Sequence, residues 1–361
     1  MKQQCIIGIY LYDSLSRKSG LGEFEYNLAQ VLAERADSLY REKGVRLSFI
    51  LHKDMVGHFG QQVDYVGLTK WRIKLLNVLP FLWRFYLPQP LDLVHLTHQG
   101  VKLHLKLATK ELVTIHDVNF LHNGVSDSAL RRKQSRFMRG VRYATHLSII
   151  SQFTAGDVCG HFDLGLPWRV ILNGVCDLSQ APRDMQMSLP PNYLFHISRM
   201  DWKKNVHLLV KMMKYLPDYN LVLAGNCKKN YMSHLQEIVS REHLTNVVML
   251  GPVTDEQKAR LYHDCRAVAF PSLSEGFGLP VIEAMCFGKP VFCSRLTALL
   301  EVGGEAAFYF DELEPAEMAA TVRACLNQPC DGLRQKTHAA QFNWQRAADE
   351  YLRYYLDILG C

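Results

Sequence analysis

Short apolar runs alternate with helical periodicity along most of this chain. Strand-like runs occur at Cys5–Leu11 and at 46–51, 91–95, 111–115 and 146–150. Helical patterns open at 16–23 and run over 128–143 and 153–162, the first placing Phe24, Leu28, Val31 and Leu32 on one buried face. The alternation restarts at Tyr193–Ile197 and continues through strands at 221–224, 247–250, Ala267–Phe270 and 290–293. Helical patterns at 206–215, 231–241 and 254–265 separate them, the last with a good capping start at Thr254-Asp-Glu-Gln257. Alternation of this kind predicts an open, mostly parallel sheet covered on both faces. Two such runs predict an α/β protein of two doubly wound domains, residues 1–176 and 192–343. The polar, proline-containing stretch 177–191 has the composition of a linker, and 344–361 carries an amphipathic helix that periodicity alone assigns to neither domain.

Ligands of open parallel sheets bind beyond the carboxyl ends of strands, and candidate residues collect there. The run Ala267–Phe270 stops at Pro271, a polar glycine loop reaches Gly278, and Pro280 sits where a first helical position accepts it. Gly276 and Gly278 let a ligand approach the backbone, and the N–H groups of the helix start face any anion bound there. Glu275 in the loop and Glu283 in the first helical turn can reach one pocket, as acceptors for sugar hydroxyls. Taken alone, the same residues also read as a plain turn and a complement to the helix dipole. Arg199 and Lys203-Lys204-Asn205 follow the strand Tyr193–Ile197, and cations beside a helix start suit a diphosphate. Gly20 and Gly22 form a second strand-to-helix corner. His116, at the end of the run 111–115, can donate to a substrate oxygen or tune charge. There is no His, Glu and Cys grouping with metal-ligand spacing, no serine nucleophile elbow, and no dinucleotide fingerprint followed by a ribose-binding acid.

Composition narrows the partners. The 361 residues are 48% apolar and 21% charged, globular values, and the net charge of +6 is too mild to argue nucleic-acid binding. It fits acidic substrates or an anionic membrane surface. Ten cysteines lie scattered singly, as in a reduced cytoplasmic protein, and neither a signal peptide nor a spanning helix is legible. The stretch 69–86 is rich in aromatics and cations: Lys70, Arg72, Lys74 and Arg84 suit headgroups, while Trp71, Leu75, Leu79 and Trp83 suit the lipid interface. A buried helix with a solvated basic edge, broken at Pro80, is the alternative.

Together these residues resemble the retaining nucleotide-sugar glycosyltransferases of family 4, within glycosyl transferases group 1. Glu275-Gly-Phe-Gly-Leu-Pro-Val-Ile-Glu283 is similar to the family's paired-glutamate motif, and Ser198-Arg-Met-Asp-Trp-Lys-Lys-Asn205 to its phosphate segment. Gly20-Leu-Gly22, Thr114-Ile-His-Asp117, Ser151-Gln-Phe-Thr154 and Asn173-Gly-Val175 match its other landmarks in order. The resemblance implies a GT-B fold, two facing Rossmann-like domains with an interdomain cleft, and a C-terminal helix crossing back to the first domain. It implies that Arg199 and Lys204 neutralise the donor diphosphate and that Glu283 accepts from the ribose. Glu275 with the backbone of Gly276, Phe277, Gly278 and Leu279 would hold the transferred sugar. Gly20 and Gly22 would approach the donor, and His116 would sit beside sugar and acceptor. Ser198 replaces the usual glycine and Leu300 a common proline.

The reaction so implied is transfer of a hexose, such as mannose or glucose, from a nucleoside diphosphate sugar to a saccharide or lipid-linked acceptor with retention. It needs no cofactor and no metal. Bacterial cell-surface polysaccharide assembly at the inner face of the plasma membrane is the expected setting. The rival readings are an epimerase or phosphorylase on the same architecture, and a silent sugar-nucleotide or lipid-carrier binding protein.

Overall fold

The computed structural model describes residues 4–16, 19–87, 89–122, 124, 126–328 and 331–361. Thirteen named strands form two sheets among these residues. The first contains β1 (Cys5–Leu11), β2 (Val45–His52), β3 (Asp64–Leu68), β4 (Leu91–Leu96), β5 (Ala108–Ile115), β6 (His146–Ile149) and β7 (Trp168–Val170). Its order is β3-β2-β1-β4-β5-β6-β7, parallel throughout. The second contains β8 (Tyr193–Ile197), β9 (Asn220–Ala224), β10 (Val247–Gly251), β11 (Ala267–Phe270), β12 (Val291–Ser294) and β13 (Phe308–Phe310). Its order is β10-β9-β8-β11-β12-β13, again parallel. These are the two doubly wound α/β units that the alternation predicts.

In the first unit the helices are α1 (Gly20–Lys43), α2 (Lys70–Val78), α3 (Asp127–Gly140) and α4 (Gln152–His161). The second has α5 (Val206–Met212), α6 (Lys229–Arg241), α7 (Asp255–Asp264), α8 (Leu279–Cys286), α9 (Ala298–Gly303), α10 (Pro315–Leu326) and α11 (Leu333–Ala339), and α12 (Trp344–Leu359) closes the chain. Helices on both faces bury the central strands completely, which is why β1 and β11 read as continuous apolar runs and not as alternations. The expected capping box of α7 forms, Thr254 and Gln257 each bonding the other's backbone N–H. Strands β3 and β13 escape the hydrophobic pattern because both are short sheet edges with mixed exposure. No helix among the described residues is long and apolar enough to cross a membrane.

The contacts divide the chain into Met1–Gly174 with Asn343–Cys361, and Val175–Phe342. The stretch 177–191, read above as a linker, therefore belongs to the second unit. Asp184 ties it there, its N–H donating to Glu256 O and its carboxylate accepting from Gln257.

The last helix belongs to the first unit. It buries Trp344, Ala347, Ala348, Tyr351, Tyr354, Tyr355 and Ile358, a spacing of three and four that makes one apolar stripe. Under the stripe lies a polar pin. His95 on β4, wholly buried, bonds Tyr355 OH at Nδ1 and Thr114 Oγ1 at Nε2, both at 2.7 Å. Thr114 continues to Ser148 at 2.6 Å and to Tyr351 OH at 3.2 Å, so three strands and the helix share one network. Burial holds His95 neutral, its pKa pushed down to about 3, and both ring nitrogens keep a partner. Tyr355→Phe strands Nδ1 without one and should cost about 1–3 kcal/mol in urea unfolding. An unchanged unfolding midpoint would contradict this role.

Candidate active site

Each sheet reverses its winding at one place, between β1 and β4 in the first unit and between β8 and β11 in the second. Connections leave these neighbouring strands in opposite directions, so a crevice opens at their carboxyl ends. The second unit's crevice holds most of the residues that the sequence singled out. After β8 the chain passes Ser198 and Arg199, makes a 3-10 turn over Trp202–Lys204, and enters α5 through Asn205 in the left-handed region at φ 55°. After β11 it passes Ser272 to Gly278 and enters α8. Leu273 N–H donates to Lys203 O at 2.7 Å and fastens the two loops together.

Lys204 and Glu275 meet across that junction. Lys204 Nζ donates to Glu275 Oε1 at 2.5 Å, and the ammonium also lies 5.4 Å from the Phe270 ring centroid. Both side chains are largely enclosed, so each charge needs the other. Glu275 N–H donates to Thr297 Oγ1, and Thr297 itself has φ 56° and ψ −145°, an unusual backbone for a β-branched residue. Arg199 is exposed and makes no ion pair among the described residues, which leaves its guanidinium available.

The glycine loop is built as its residues require. Gly278 has φ 112°, and a Cβ there would lie 2.7 Å from Leu299 Cδ2, so only glycine fits. Gly276 is half-buried, and Phe277 packs edge-on against Phe342. Leu279 and Pro280 begin α8. Glu283, one turn on, is almost fully buried: Lys258 Nζ donates to its Oε1 at 2.5 Å and Tyr262 OH to its Oε2 at 2.7 Å. Each carboxylate oxygen keeps one further lone pair for a ligand. Lys258 and Tyr262 were missed from the sequence. Their i, i+4 spacing puts them on one face of α7, but nothing in the sequence told which face meets Glu283.

The first unit's crevice holds a group that the sequence did not reveal. His98, just past β4, accepts from Gly100 N–H at Nδ1, so its proton sits on Nε2 and is donated to Asp13 Oδ2 at 3.0 Å. That bond holds Asp13 below the usual carboxylate range. An oriented, ionised carboxylate is thereby presented at the end of β1, half exposed and able to accept from a sugar hydroxyl.

Glu25 on α1 lies behind it, fully buried. Its Oε2 accepts from the N–H groups of Asp13 and Ser14, while Thr97 Oγ1 stands 2.6 Å from both Glu25 Oε1 and Tyr10 O. Thr97 has one proton for two oxygens, which a protonated Glu25 resolves by donating to Thr97. Burial acts the same way and pushes the Glu25 carboxyl up to about 8. The ligating atoms of Asp13, Glu25 and His98 lie within 4.8 Å of one another, yet N–H and O–H groups already address them. The arrangement is a hydrogen-bonded relay that fixes Asp13.

His116 and Gly22 are each engaged by the chain's own backbone. His116 Nε2–H donates to Thr97 O at 2.8 Å, and burial pushes its pKa down to about 4. In this state the ring is neutral and offers a substrate an acceptor at Nδ1, since its one N–H is occupied. A Cβ on Gly22 would lie 2.0 Å from Ser16 O, so this glycine is required by the chain's own loop, whereas Gly20 faces open space.

Residues 182–344 match the family model of glycosyl transferases group 1. The second unit carries that family's pattern. The chain is 28% identical over 226 residues to O-antigen chain mannosyltransferase B of Escherichia coli, a match covering 57% of this chain and 59% of that one. It is 23% identical over 351 residues to O-antigen chain mannosyltransferase RfbU of Salmonella typhimurium, covering 92% and 95%. Among solved structures it resembles sucrose-phosphate synthase from Thermosynechococcus elongatus, with a TM-score of 0.78 at 19% identity over 99% of this chain and 100% of that one. The fold is GT-B.

Glu25 supplies a pH test. Its folded pKa lies above its unfolded one, so its contribution to stability is complete below the ordinary carboxylic range and is lost as pH rises through about 8. Glu25→Gln keeps the shape and the donor to Thr97 without a titrating proton. Between pH 6 and pH 9 the variant's melting temperature should rise relative to wild type. Parallel pH profiles would contradict a protonated Glu25.

Proposed function

We propose that this chain is a retaining hexosyltransferase. It moves a hexose, mannose by preference, from a nucleoside diphosphate sugar to a saccharide or lipid-linked saccharide, in assembly of a bacterial cell-surface polysaccharide on the cytoplasmic side of the membrane. The Lys204 and Glu275 pair carries this reading. A cation and a carboxylate stand in contact at a parallel-sheet switch point, beside a glycine loop that opens a helix.

The donor diphosphate takes Lys204 and Arg199 as its counter-charges, with the first N–H groups of α8 completing its cradle. Lys204 then turns from Glu275 to phosphate, and Glu275 is free to accept from hydroxyls of the transferred sugar. Glu283, already oriented by Lys258 and Tyr262, accepts from the ribose with its remaining lone pairs. As the glycosidic bond breaks, charge grows on the leaving diphosphate, and the preorganised cations stabilise it more than the ground state. The acceptor hydroxyl attacks the face that the diphosphate leaves and gives its proton to the departing phosphate. No protein nucleophile and no metal enter this scheme. The mannosyltransferase names of the relatives support the choice of sugar and setting, although the first of them is matched over only 59% of its length.

The test is transfer by the purified protein from a panel of nucleoside diphosphate hexoses to a polyprenyl-linked saccharide, followed by mass and by NMR of the new anomeric centre. The account expects one added hexose with the donor's anomeric configuration and release of nucleoside diphosphate. Lys204→Ala and Glu275→Ala should lower turnover by about 100-fold or more while circular dichroism shows each variant still folded. An inverted product would overturn retention. Near wild-type turnover in either variant would overturn the site.

A further inference from the structure

The stretch 69–86 shows on its surface a patch that the reaction does not use. Trp71, Val78, Phe81 and Phe85 are 58–75% exposed, an unusual cluster of large apolar side chains within one short segment. Lys70, Lys74 and Arg84 stand exposed among them, and the sequence has no acidic residue from 65 to 91. Arg72 holds the patch together, its guanidinium lying 5.6 Å from the Trp71 ring and 5.7 Å from the Tyr86 ring. The inward side is separate: Ile73, Leu76 and Trp83 join the first unit's core. Trp83, expected from the sequence to meet lipid, is therefore buried, Leu75 is half-buried, and Phe81 and Phe85 take the outward places.

The patch is extended by neighbours that only the fold reveals. In the strap from 101 to 107, Val101, Leu103, Leu105 and Leu107 are buried while Lys102, His104 and Lys106 point outward. Asn77, on α2, donates to Lys102 O and accepts from His104 N–H, both at 2.8 Å. Arg142, just beyond α3, donates to His104 O at 2.9 Å. The strap thus joins α2 to α3, whose Arg131, Arg132, Arg136 and Arg139 are all exposed. Asp127 is the only acidic residue between Asp117 and Asp157.

We propose that this face docks the first unit onto an anionic phospholipid bilayer. The exposed aromatic and aliphatic side chains of α2 and of the turn at Pro80–Phe85 enter the interface, and the cations of α2, the strap and α3 meet lipid phosphates. A bilayer fits better than a nucleic acid or other soluble polyanion, because a polyanion would satisfy the cations and leave Val78, Phe81 and Phe85 in water. The strap begins next to His98, so the docking face and the Asp13 cluster lie on one continuous segment. The inference is independent of the transfer reaction, and its test reads no turnover.

The test is co-sedimentation of the full chain with vesicles of phosphatidylcholine alone or mixed with phosphatidylglycerol, at rising salt and with duplex DNA as competitor. Binding is expected only to the anionic vesicles. Lys70→Glu, Lys74→Glu and Arg84→Glu together should weaken it by about fivefold or more for each charge removed. Phe81→Ser with Phe85→Ser should leave low-salt attraction but release the protein at lower salt. Brominated lipid should quench wild-type fluorescence and quench Trp71→Phe distinctly less, a readout that needs no change to the charges. Absence of binding to anionic vesicles at low salt would overturn the proposal. So would an unchanged salt profile in the phenylalanine variant together with displacement by DNA, which would assign the face to a polyanion. All exchanged side chains are solvent-facing, and thermal melts check that each variant is folded.

Discussion

A parallel strand cannot return to its neighbour through a tight turn, and every connection must cross a face of the sheet. That constraint organises this protein. Both sheets begin in the middle, grow outward in one direction, and then start again on the other side of the first strand. The loops after β1 and β4, and those after β8 and β11, are thereby forced apart at the carboxyl ends of adjacent strands. Most polar groups given a chemical role here hang from one of those four loops or from the helix that follows it; His116 follows β5, and Lys258 and Tyr262 come from α7, after β10. Chemistry can vary at these places without disturbing the buried strands beneath.

The two crevices handle buried carboxylates differently. In the second unit Glu275 and Glu283 each receive a lysine, and Tyr262 completes the set around Glu283. A lysine can be drawn away by a stronger anion, so these pairs suit a site that receives phosphate and hydroxyls. In the first unit Glu25 is addressed by the N–H groups of Asp13 and Ser14 and by Thr97, with His98 Nε2 4.0 Å away and turned to Asp13, and it is neutralised by a proton, with burial the dominant cause. A neutral acid within a hydrogen-bonded loop is a fixture, and what it fixes is Asp13, the carboxylate that His98 keeps ionised. The contrast separates residues poised to change partners from residues that hold others still.

Much of this was legible in the sequence, and the exceptions have physical reasons. Buried central strands announce themselves, as β8 and β11 do, because both faces of a parallel sheet must be apolar. The Glu275 to Glu283 loop was legible because Gly278 and Pro280 obey local backbone rules. Edge strands such as β13 were not, having three residues and half-exposed faces. Nor was the cluster of Asp13, Glu25 and His98, whose members come together only when β1 and β4 pair. Composition identified 69–86 as an unusual surface but not its outward side chains, since Pro80 resets the helical phase between Val78 and Phe81. His116 was found by its motif, yet only its bond to Thr97 shows that the ring is neutral and its one proton already engaged.

The central claim is that the Lys204 and Glu275 pair is a resting state which a nucleotide sugar opens. The most direct test is a crystal structure of the protein with a nucleoside diphosphate hexose that it binds. The account predicts diphosphate oxygens within hydrogen-bond distance of Lys204 Nζ and of the first N–H groups of α8, with Glu275 turned to sugar hydroxyls. A nucleotide bound elsewhere, with Lys204 still seated on Glu275, would contradict it.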